Sequence, residues 1–138
     1  MGNMFSSCVA LTALPAFDTG NVTTMSYMCS YCKSLTSIPQ LNTQNVSNMS
    51  GMLYECTNLE TVPVLNTAKV TNMGYMFGGC TSLSSTSLNN ILQMCANATS
   101  YTGTKTLSTI GLTSAQASTC TTLSNWSAAQ SAGWTTGY

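Results

Sequence analysis

Hydrophobic residues recur along the first 83 residues at a fixed spacing of 24, with small polar residues between them. One position of the period holds only methionine, a second only cysteine and a third only leucine. Their members are Met4, Met28, Met52 and Met76; Cys8, Cys32, Cys56 and Cys80; and Leu11, Leu35, Leu59 and Leu83. A fixed period of this length is typical of repeat architectures, in which each unit stacks on the next.

A single 24-residue unit is too short to bury its own hydrophobic side chains, whereas stacked units bury them as ladders of identical residues. The period predicts three complete coils, at 4–27, 28–51 and 52–75, and a partial coil at 76–83. We number these coils 1 to 4. The cysteines and leucines that repeat are therefore interpreted as structural ladder residues.

Each complete coil carries a proline four residues after its ladder leucine, at Pro15, Pro39 and Pro63. Proline has no N–H to donate to a backbone ladder, so it would end a strand. The residues before each proline therefore predict short parallel strands, at 11–14, 35–38 and 59–62. The predicted fold class is an α/β repeat solenoid, a leucine-rich-repeat-like stack closed by a mostly helical C-terminal cap.

The 24-residue period ends after residue 83, and the next hydrophobic residues have helical spacing. They are Leu88, Ile91, Leu92 and Cys95. Separations of three, four and seven residues place them on one face, which predicts a helix over 87–96. An extended stretch is expected at 105–110. We interpret residues 84–138 as the cap.

A second helix is predicted over 114–132. Thr113 and Gln116 have the spacing of a capping box at its start, and Gly133 is a suitable terminator at its end. Two tryptophans are available to cover the apolar end of the last coil. They are Trp126 and Trp134.

Charged residues are scarce: three lysines, no arginine and three acids make up 4% of the chain, against roughly 25% in ordinary soluble domains. Lys33, Lys69 and Lys105 stand apart, so no basic cluster exists to displace counterions from a nucleic acid. No apolar run is long enough for a membrane span, and the N-terminal residues lack the pattern of a signal peptide. The composition therefore argues against a nucleic-acid partner and against a membrane span in this chain.

Cysteine is the residue type most suggestive of chemistry. Cys29 and Cys32 form a C-x-x-C pair, a spacing used for thiol redox exchange or zinc, but no histidine or second pair accompanies them. Both occupy repeat positions, which favours core packing, while a thiol-dependent redox enzyme would need an accessible thiol of low pKa. Cys95 and Cys120 could form a disulfide only if their Cα atoms came within about 7 Å.

Catalytic, metal and cofactor sites are not predicted. General acid–base chemistry needs paired titrating groups near one substrate, and Asp18 belongs to coil 1 whereas Glu55 and Glu60 belong to coil 3. Serine and threonine are abundant, but no histidine is present to activate them as nucleophiles. The chain is therefore predicted not to be an enzyme.

Two elements of the coils carry a family resemblance. Coil 1 contains M-F-x-x-C-x-x-L and D-T-x-x-V-T-x-M, and related elements follow in register in coils 2 and 3. Residues 1–83 thereby resemble the BspA-like leucine-rich-repeat surface proteins. The resemblance implies a surface-displayed protein associated with adhesion, and it implies no catalytic residues. Cys29 departs from the usual phenylalanine, and Asn42 and Asn66 depart from the aspartate kept at Asp18.

Recognition is expected at positions where the coils differ from one another. The candidate partner-binding residues are Tyr27, Tyr31, Lys33, Tyr54, Glu55, Glu60 and Tyr75. Tyrosine is favoured at interfaces because it offers a large contact area at low ordering cost, although ordinary semi-exposed packing would also account for it. The predicted function is that of a non-enzymatic adhesion or protein-interaction module that binds a protein or glycan. Its predicted location is the cell surface or the extracellular space, as part of a longer protein. The alternative is a phage virion structural protein, such as a fibre, tail or capsid-decorating component.

Residues 1–3 occupy the register that ends a coil, so the chain begins inside a repeat. A stack needs a cap over an open apolar end. We therefore expect either upstream coils or a partner subunit, such as another virion or assembly component, to cover coil 1.

Overall fold

The 24-residue sequence period is also the spatial period of the fold. In the computed structural model, which describes residues 1–138, isolated parallel bridges join residues of successive coils. One series runs from Ala13 to Ser37 and on to Thr61. A second series, which the sequence had not predicted, runs through Thr24, Asn48 and Asn72.

The predicted α/β solenoid with parallel strands is wrong, because the structure contains no sheet. Each predicted strand is bridged at a single residue, and its neighbours lie in turns or irregular backbone. A strand needs several consecutive extended residues, whereas each coil has a proline on one side of the bridge and left-handed residues farther along. Tyr27 and Tyr31, for example, have φ angles of 52° and 61°. The coils are therefore stacked turns joined at isolated points.

Successive coils are joined most regularly through their turn segments, residues 1–8, 25–32, 49–56 and 73–80, which we call the arcs. Alternate amides of one arc donate to carbonyls of the next: the Cys29 amide, for example, donates to the Met52 carbonyl over 2.9 Å. In the last arc, Tyr75 and Phe77 donate instead to the carbonyls of Thr109 and Ile110, each over 2.9 Å. A segment of the cap thus takes the place of a further arc.

The segment that accepts these bonds is a turn, so the extended stretch predicted at 105–110 is wrong except at Thr106, which bridges to Thr135. Its closest approach to the coils is at Gly111, where φ is 96° and a Cβ atom would overlap the backbone of Gly78. Only glycine combines this backbone conformation with so close a contact. Gly111 is therefore the point at which cap and coils meet backbone to backbone.

The ladder cysteines of coils 2 to 4 are fully or almost fully buried, whereas Cys8 is exposed. Each buried ladder thiol donates to a backbone carbonyl of the preceding coil: Cys56 Sγ, for example, lies 3.0 Å from the Cys29 oxygen. Cys32 and Cys80 repeat this contact at 3.0 and 3.1 Å. Cysteine suits the position because it is small and carries a weak donor.

The ladder leucines follow the same gradient from the first coil inward. Leu35 and Leu59 are fully buried and Leu83 is 9% exposed, while Leu11 is only partly buried. Together with the buried ladder cysteines and the buried methionines they form one continuous core that also includes the buried residues of the cap. Coil 1 therefore contributes least to that core.

The first predicted helix is confirmed: α1 spans Ser85–Asn97. Ser84 caps its N-terminus by accepting from the Ser87 amide. Ser87 then turns its hydroxyl into the coils, where it accepts from the Val62 amide at 2.9 Å and donates to the Glu60 carbonyl at 2.8 Å. A helix side chain thus satisfies backbone groups that another coil would otherwise satisfy.

The single helix predicted over 114–132 is wrong, because two helices occupy this range: α2, Ser114–Cys120, and α3, Trp126–Ser131. The predicted capping box of Thr113 and Gln116 is confirmed. The break follows from local chemistry, since the hydroxyls of Thr121 and Thr122 bond back to carbonyls three residues earlier and compete with helix continuation.

The C-terminal end of the cap packs through its second tryptophan. Gly133, predicted to terminate the helix, adopts φ 92° directly after α3. Trp134 is buried and stacks on Tyr101 with ring centroids 5.3 Å apart.

None of the three helices has both the length and the hydropathy that crossing a bilayer requires.

Candidate functional site

Four of the predicted partner-binding residues line one cleft of about 330 Å³: Tyr27, Tyr31, Tyr54 and Tyr75. We call it the tyrosine cleft. The other three predicted residues are not part of its lining. Lys33 and Glu60 are exposed elsewhere on the coils, and Glu55 is partly buried next to Tyr54 in the chain.

The cleft lies on the arcs, at positions where the backbone is left-handed. Tyr27, Tyr31 and Tyr75 have φ angles of 52°, 61° and 55°. For an L-residue with a bulky side chain this conformation costs about 1–2 kcal/mol. The same register positions are left-handed in the other coils as well, for example at Gly51 and Glu55, so the conformation belongs to the repeat. The tyrosines therefore occupy positions where asparagine or glycine would be easier to accommodate.

Glycines of neighbouring coils give the rings their space. Gly51 occupies the same register position as Tyr27 and Tyr75, one coil from each, and a Cβ atom there would overlap the Tyr27 ring. Gly78 leaves space for the Tyr54 ring in the same way, because a Cβ atom added at Gly78 would lie 2.8 Å from a carbon of that ring. The missing side chain at Gly51 lets the Tyr27 ring lie against the next coil, where it forms one wall of the cleft.

The rings present both faces and edges to solvent. Tyr31 and Tyr54 meet edge to face, with centroids 5.5 Å apart and planes at 79°. Tyr27, Tyr31 and Tyr75 are 42%, 43% and 63% exposed, which is high for aromatic side chains. A ligand bound in the cleft would therefore contact aromatic rings on more than one side.

The electrostatics of the cleft are set by acidic groups. The neighbouring Tyr31 raises the pKa of the Tyr54 phenol, and the carboxylate of Glu55 raises it further. Each nearby titrating group that influences Tyr54 is thus an acid, and each opposes further negative charge. The Tyr54 hydroxyl stays protonated at neutral pH, where it can donate a hydrogen bond.

Comparison with known protein families identifies the family to which the chain belongs. A family profile described as "Mycoplasma protein of unknown function, DUF285" matches residues 1–110. The chain belongs to this family. The DUF285 match covers the four coils, α1 and the segment that accepts the hydrogen bonds of the last arc, so it contains the whole tyrosine cleft. No curated protein and no solved structure matches the chain.

Sequence reasoning named the tyrosines of this DUF285 protein but missed what brings them together. One column of the repeat reads Asn3, Tyr27, Gly51 and Tyr75. Asparagine and glycine are the residues that best tolerate positive φ, so their presence in the column indicated a left-handed position. Read that way, the column would also have predicted that the Tyr27 ring can lie over Gly51.

The cysteines of the DUF285 chain are free and, apart from Cys8, buried. Burial raises the pKa of both Cys29 and Cys32, which keeps these thiols protonated at neutral pH and makes them poor nucleophiles. Cys95 and Cys120 are likewise free and buried rather than bonded, and burial raises the pKa of Cys120 to about 11. The C-x-x-C pair therefore lacks the accessible, activated thiol that redox exchange requires.

Elsewhere the DUF285 structure has one larger cleft, of about 530 Å³, between coils 2 and 3 and the C-terminal end of α1. Its lining is uncharged; it includes Gln40, Val64, Asn66 and Asn97. No three histidine, cysteine, aspartate or glutamate side chains converge as metal ligands would. The tyrosine cleft therefore has the more distinctive recognition chemistry.

Proposed function

We propose that this chain is a surface-displayed, non-enzymatic binding module that contacts a protein or glycan through the tyrosine cleft. The observation that carries the proposal is that four tyrosines, from three coils, converge on a single open cleft. Tyrosine combines a large apolar ring with a hydroxyl, so it binds both apolar and polar partners and loses little entropy on ordering.

Two features support binding over ordinary packing. A tyrosine that served only to stabilise the coils would be largely buried, whereas Tyr75 is 63% exposed. The resemblance of the coils to BspA-like surface proteins points to adhesion and to display at the cell surface or outside the cell as part of a longer protein. The DUF285 family, to which the chain belongs, is described as having an unknown function, so membership does not decide between adhesion and other roles.

The test is retention of the purified chain on arrays of glycans and of extracellular host proteins. The triple variant Tyr27→Asn, Tyr31→Ser, Tyr75→Asn places at each position the residue that coil 1 or the left-handed preference already favours. We expect it to fold and to lose retention by at least about tenfold, since aromatic residues dominate interface energies. Tyr138→Asn, which removes an exposed tyrosine outside the cleft, is the control.

The proposal is wrong if the triple variant is retained as well as the unmodified chain, or if neither array retains the unmodified chain. Far-ultraviolet circular dichroism and the urea midpoint of each variant show that a loss of retention is not a loss of folding. Retention lost in the control to the same extent as in the triple variant would also count against the cleft.

A further inference from the structure

The chemistry of the tyrosine cleft selects for a particular kind of ligand. Aromatic rings carry partial negative charge on their faces, so several rings around one space attract a cation. The cleft offers four tyrosine rings, two of them nearly perpendicular at 79°. Its volume of about 330 Å³ lies at the small end for ligand sites, which suits a small molecule or head group.

Glu55 adds a formal negative charge beside the rings. It follows Tyr54 in the chain and occupies the register position of Tyr31 in the next coil, in the same left-handed conformation. The whole chain has only three acidic and three basic side chains, so few other charges compete with this carboxylate. Charge complementarity therefore favours a cationic ligand over a neutral one.

The lining also decides which cation is suitable. A metal ion such as calcium needs six to eight oxygen ligands, and the cleft offers four phenols and one nearby carboxylate. A primary ammonium is a compact, strongly hydrated charge, and aromatic walls do not replace its water. A trimethylammonium group is weakly hydrated, and its methyl groups can contact ring faces directly.

We propose that the tyrosine cleft binds the trimethylammonium group of choline, held among its four tyrosine rings with Glu55 supplying the opposite charge. This inference rests on the proposed function, because it names the ligand chemistry of the same recognition surface. The group remains chemically unchanged on binding.

The decisive experiment compares choline with its uncharged carbon isostere, 3,3-dimethylbutan-1-ol, in NMR titrations of the folded chain that follow the tyrosine ring signals. The two probes have the same shape, and only choline carries the charge. We expect choline to bind at least about tenfold more tightly, as cation–aromatic attraction in a desolvated site requires. The inference is overturned if the isostere binds as tightly, or if no ring signal moves with choline up to about 100 mM.

Variants separate the rings from the charge. Glu55→Gln should weaken choline binding by about threefold and leave the isostere unchanged, since only the Coulomb attraction is lost. Tyr54→Phe keeps the ring and should bind choline as before, whereas Tyr54→Leu should weaken it by about tenfold. Equal effects of Glu55→Gln on both probes, or equal binding by the phenylalanine and leucine variants, would contradict the assignment. Tyr138→Asn should change neither affinity.

The array experiment distinguishes failure of this inference from failure of the proposed function. If the triple tyrosine variant loses retention while choline fails to move any ring signal, the cleft is a binding surface and the trimethylammonium assignment is wrong. If choline competes with retention, and the isostere does not, both proposals are supported.

Discussion

The coils and the cap satisfy the same kinds of backbone groups in different ways. Within the coils, each arc donates to the equivalent arc of the next coil, and the bond at a given position recurs at every step. At the cap the partners are single, unlike groups: the Ser87 hydroxyl for coil 3, the Gln116 amide for the Cys80 carbonyl, and a turn that ends at Gly111. The stability of the coils is therefore distributed over many equivalent hydrogen bonds. The junction with the cap depends on a few hydrogen bonds and contacts, each of which occurs only once.

This difference predicts that the coils tolerate change at single positions better than the junction with the cap does. It also predicts that a perturbation must act on several coils at once to match one change at the junction.

Raising the pH perturbs several coils at once, because ladder thiols are buried in each. Burial raises the pKa of Cys56 from 9.0 to about 12, and it raises those of Cys32 and Cys80 as well. A raised folded pKa means that this stability is fully present below pH 9 and is lost as the pH rises towards the folded value. Cys56 and Cys80 should each cost about 1.4 kcal/mol of unfolding free energy per pH unit above 9, and Cys32 should act in the same direction.

Across the buried cysteines the loss should reach several kcal/mol by pH 10, enough to unfold a marginally stable domain. Urea midpoints measured from pH 8 to 10 under reducing conditions give the slope. The double variant Cys95→Ala, Cys120→Ala removes only the cap thiols, so most of the slope should remain. A midpoint that stays constant over this range would contradict the buried-thiol ladder.

Gly111→Ala should separate the cap from the coils. The added methyl would overlap the backbone of Gly78, and alanine disfavours a φ of 96°, so we expect a loss of about 3 kcal/mol in the free energy of unfolding. Hydrogen exchange should also accelerate at the Tyr75 and Phe77 amides, whose acceptors lie in the same turn.

Gly133→Ala is the matched control for that variant. Its φ of 92° is nearly the same, but the nearest atom to an added Cβ is 3.6 Å away, in the Lys105 side chain. It should therefore lose only the conformational part, about 1 kcal/mol. Equal losses in the two variants would show that the close approach at Gly111 contributes nothing.

Ser87→Ala should leave the Val62 amide buried without its partner. An unsatisfied buried donor costs about 1–3 kcal/mol, and chemical denaturation measures that loss directly. Ser85→Ala removes a hydroxyl from an exposed position of the same helix and should have almost no effect. If the two variants are equally stable, the hydroxyl of Ser87 does not replace a missing coil.

Tyr75→Asn should change stability least, by less than about 0.5 kcal/mol and in the stabilising direction. The ring is largely exposed, and asparagine accommodates positive φ more readily than tyrosine does. Tyr75→Val, which is β-branched and disfavours this conformation, should be destabilising in the same thermal melts. A stabilised valine variant would mean that Tyr75 is not held in a left-handed conformation.

The sequence predicted the stacking period, α1 and the capping box of α2 because each depends on local spacing. It predicted strands wrongly because an apolar run before a proline does not reveal how many residues stay extended. The break between α2 and α3 was missed for a related reason. It depends on the hydroxyls of Thr121 and Thr122 and on Asn89, whose side chain accepts from the Asn125 amide over 3.0 Å.

For the candidate site, the sequence identified the tyrosines because they vary among otherwise regular coils. It could not place Lys33 and Glu60 away from the cleft, since position within a coil does not fix the direction of a side chain on an irregular backbone. The cleft itself depends on a contact between coils, the Tyr27 ring over Gly51. Such contacts become predictable only when residues in the same column of the repeat are considered together.

The one-way hydrogen bonding of the arcs makes the stack electrically polar. In every arc the alternate amide N–H groups point towards the cap and the carbonyls of the same peptide units point away from it, so their dipoles add as they do along an α-helix. The formal net charge is zero, yet the column of arcs has a negative end at coil 1 and a positive end at the cap, offset in part by oppositely directed bonds such as Thr71 to Ser47. Each additional coil of this type would lengthen the column and increase its dipole moment while leaving the net charge unchanged.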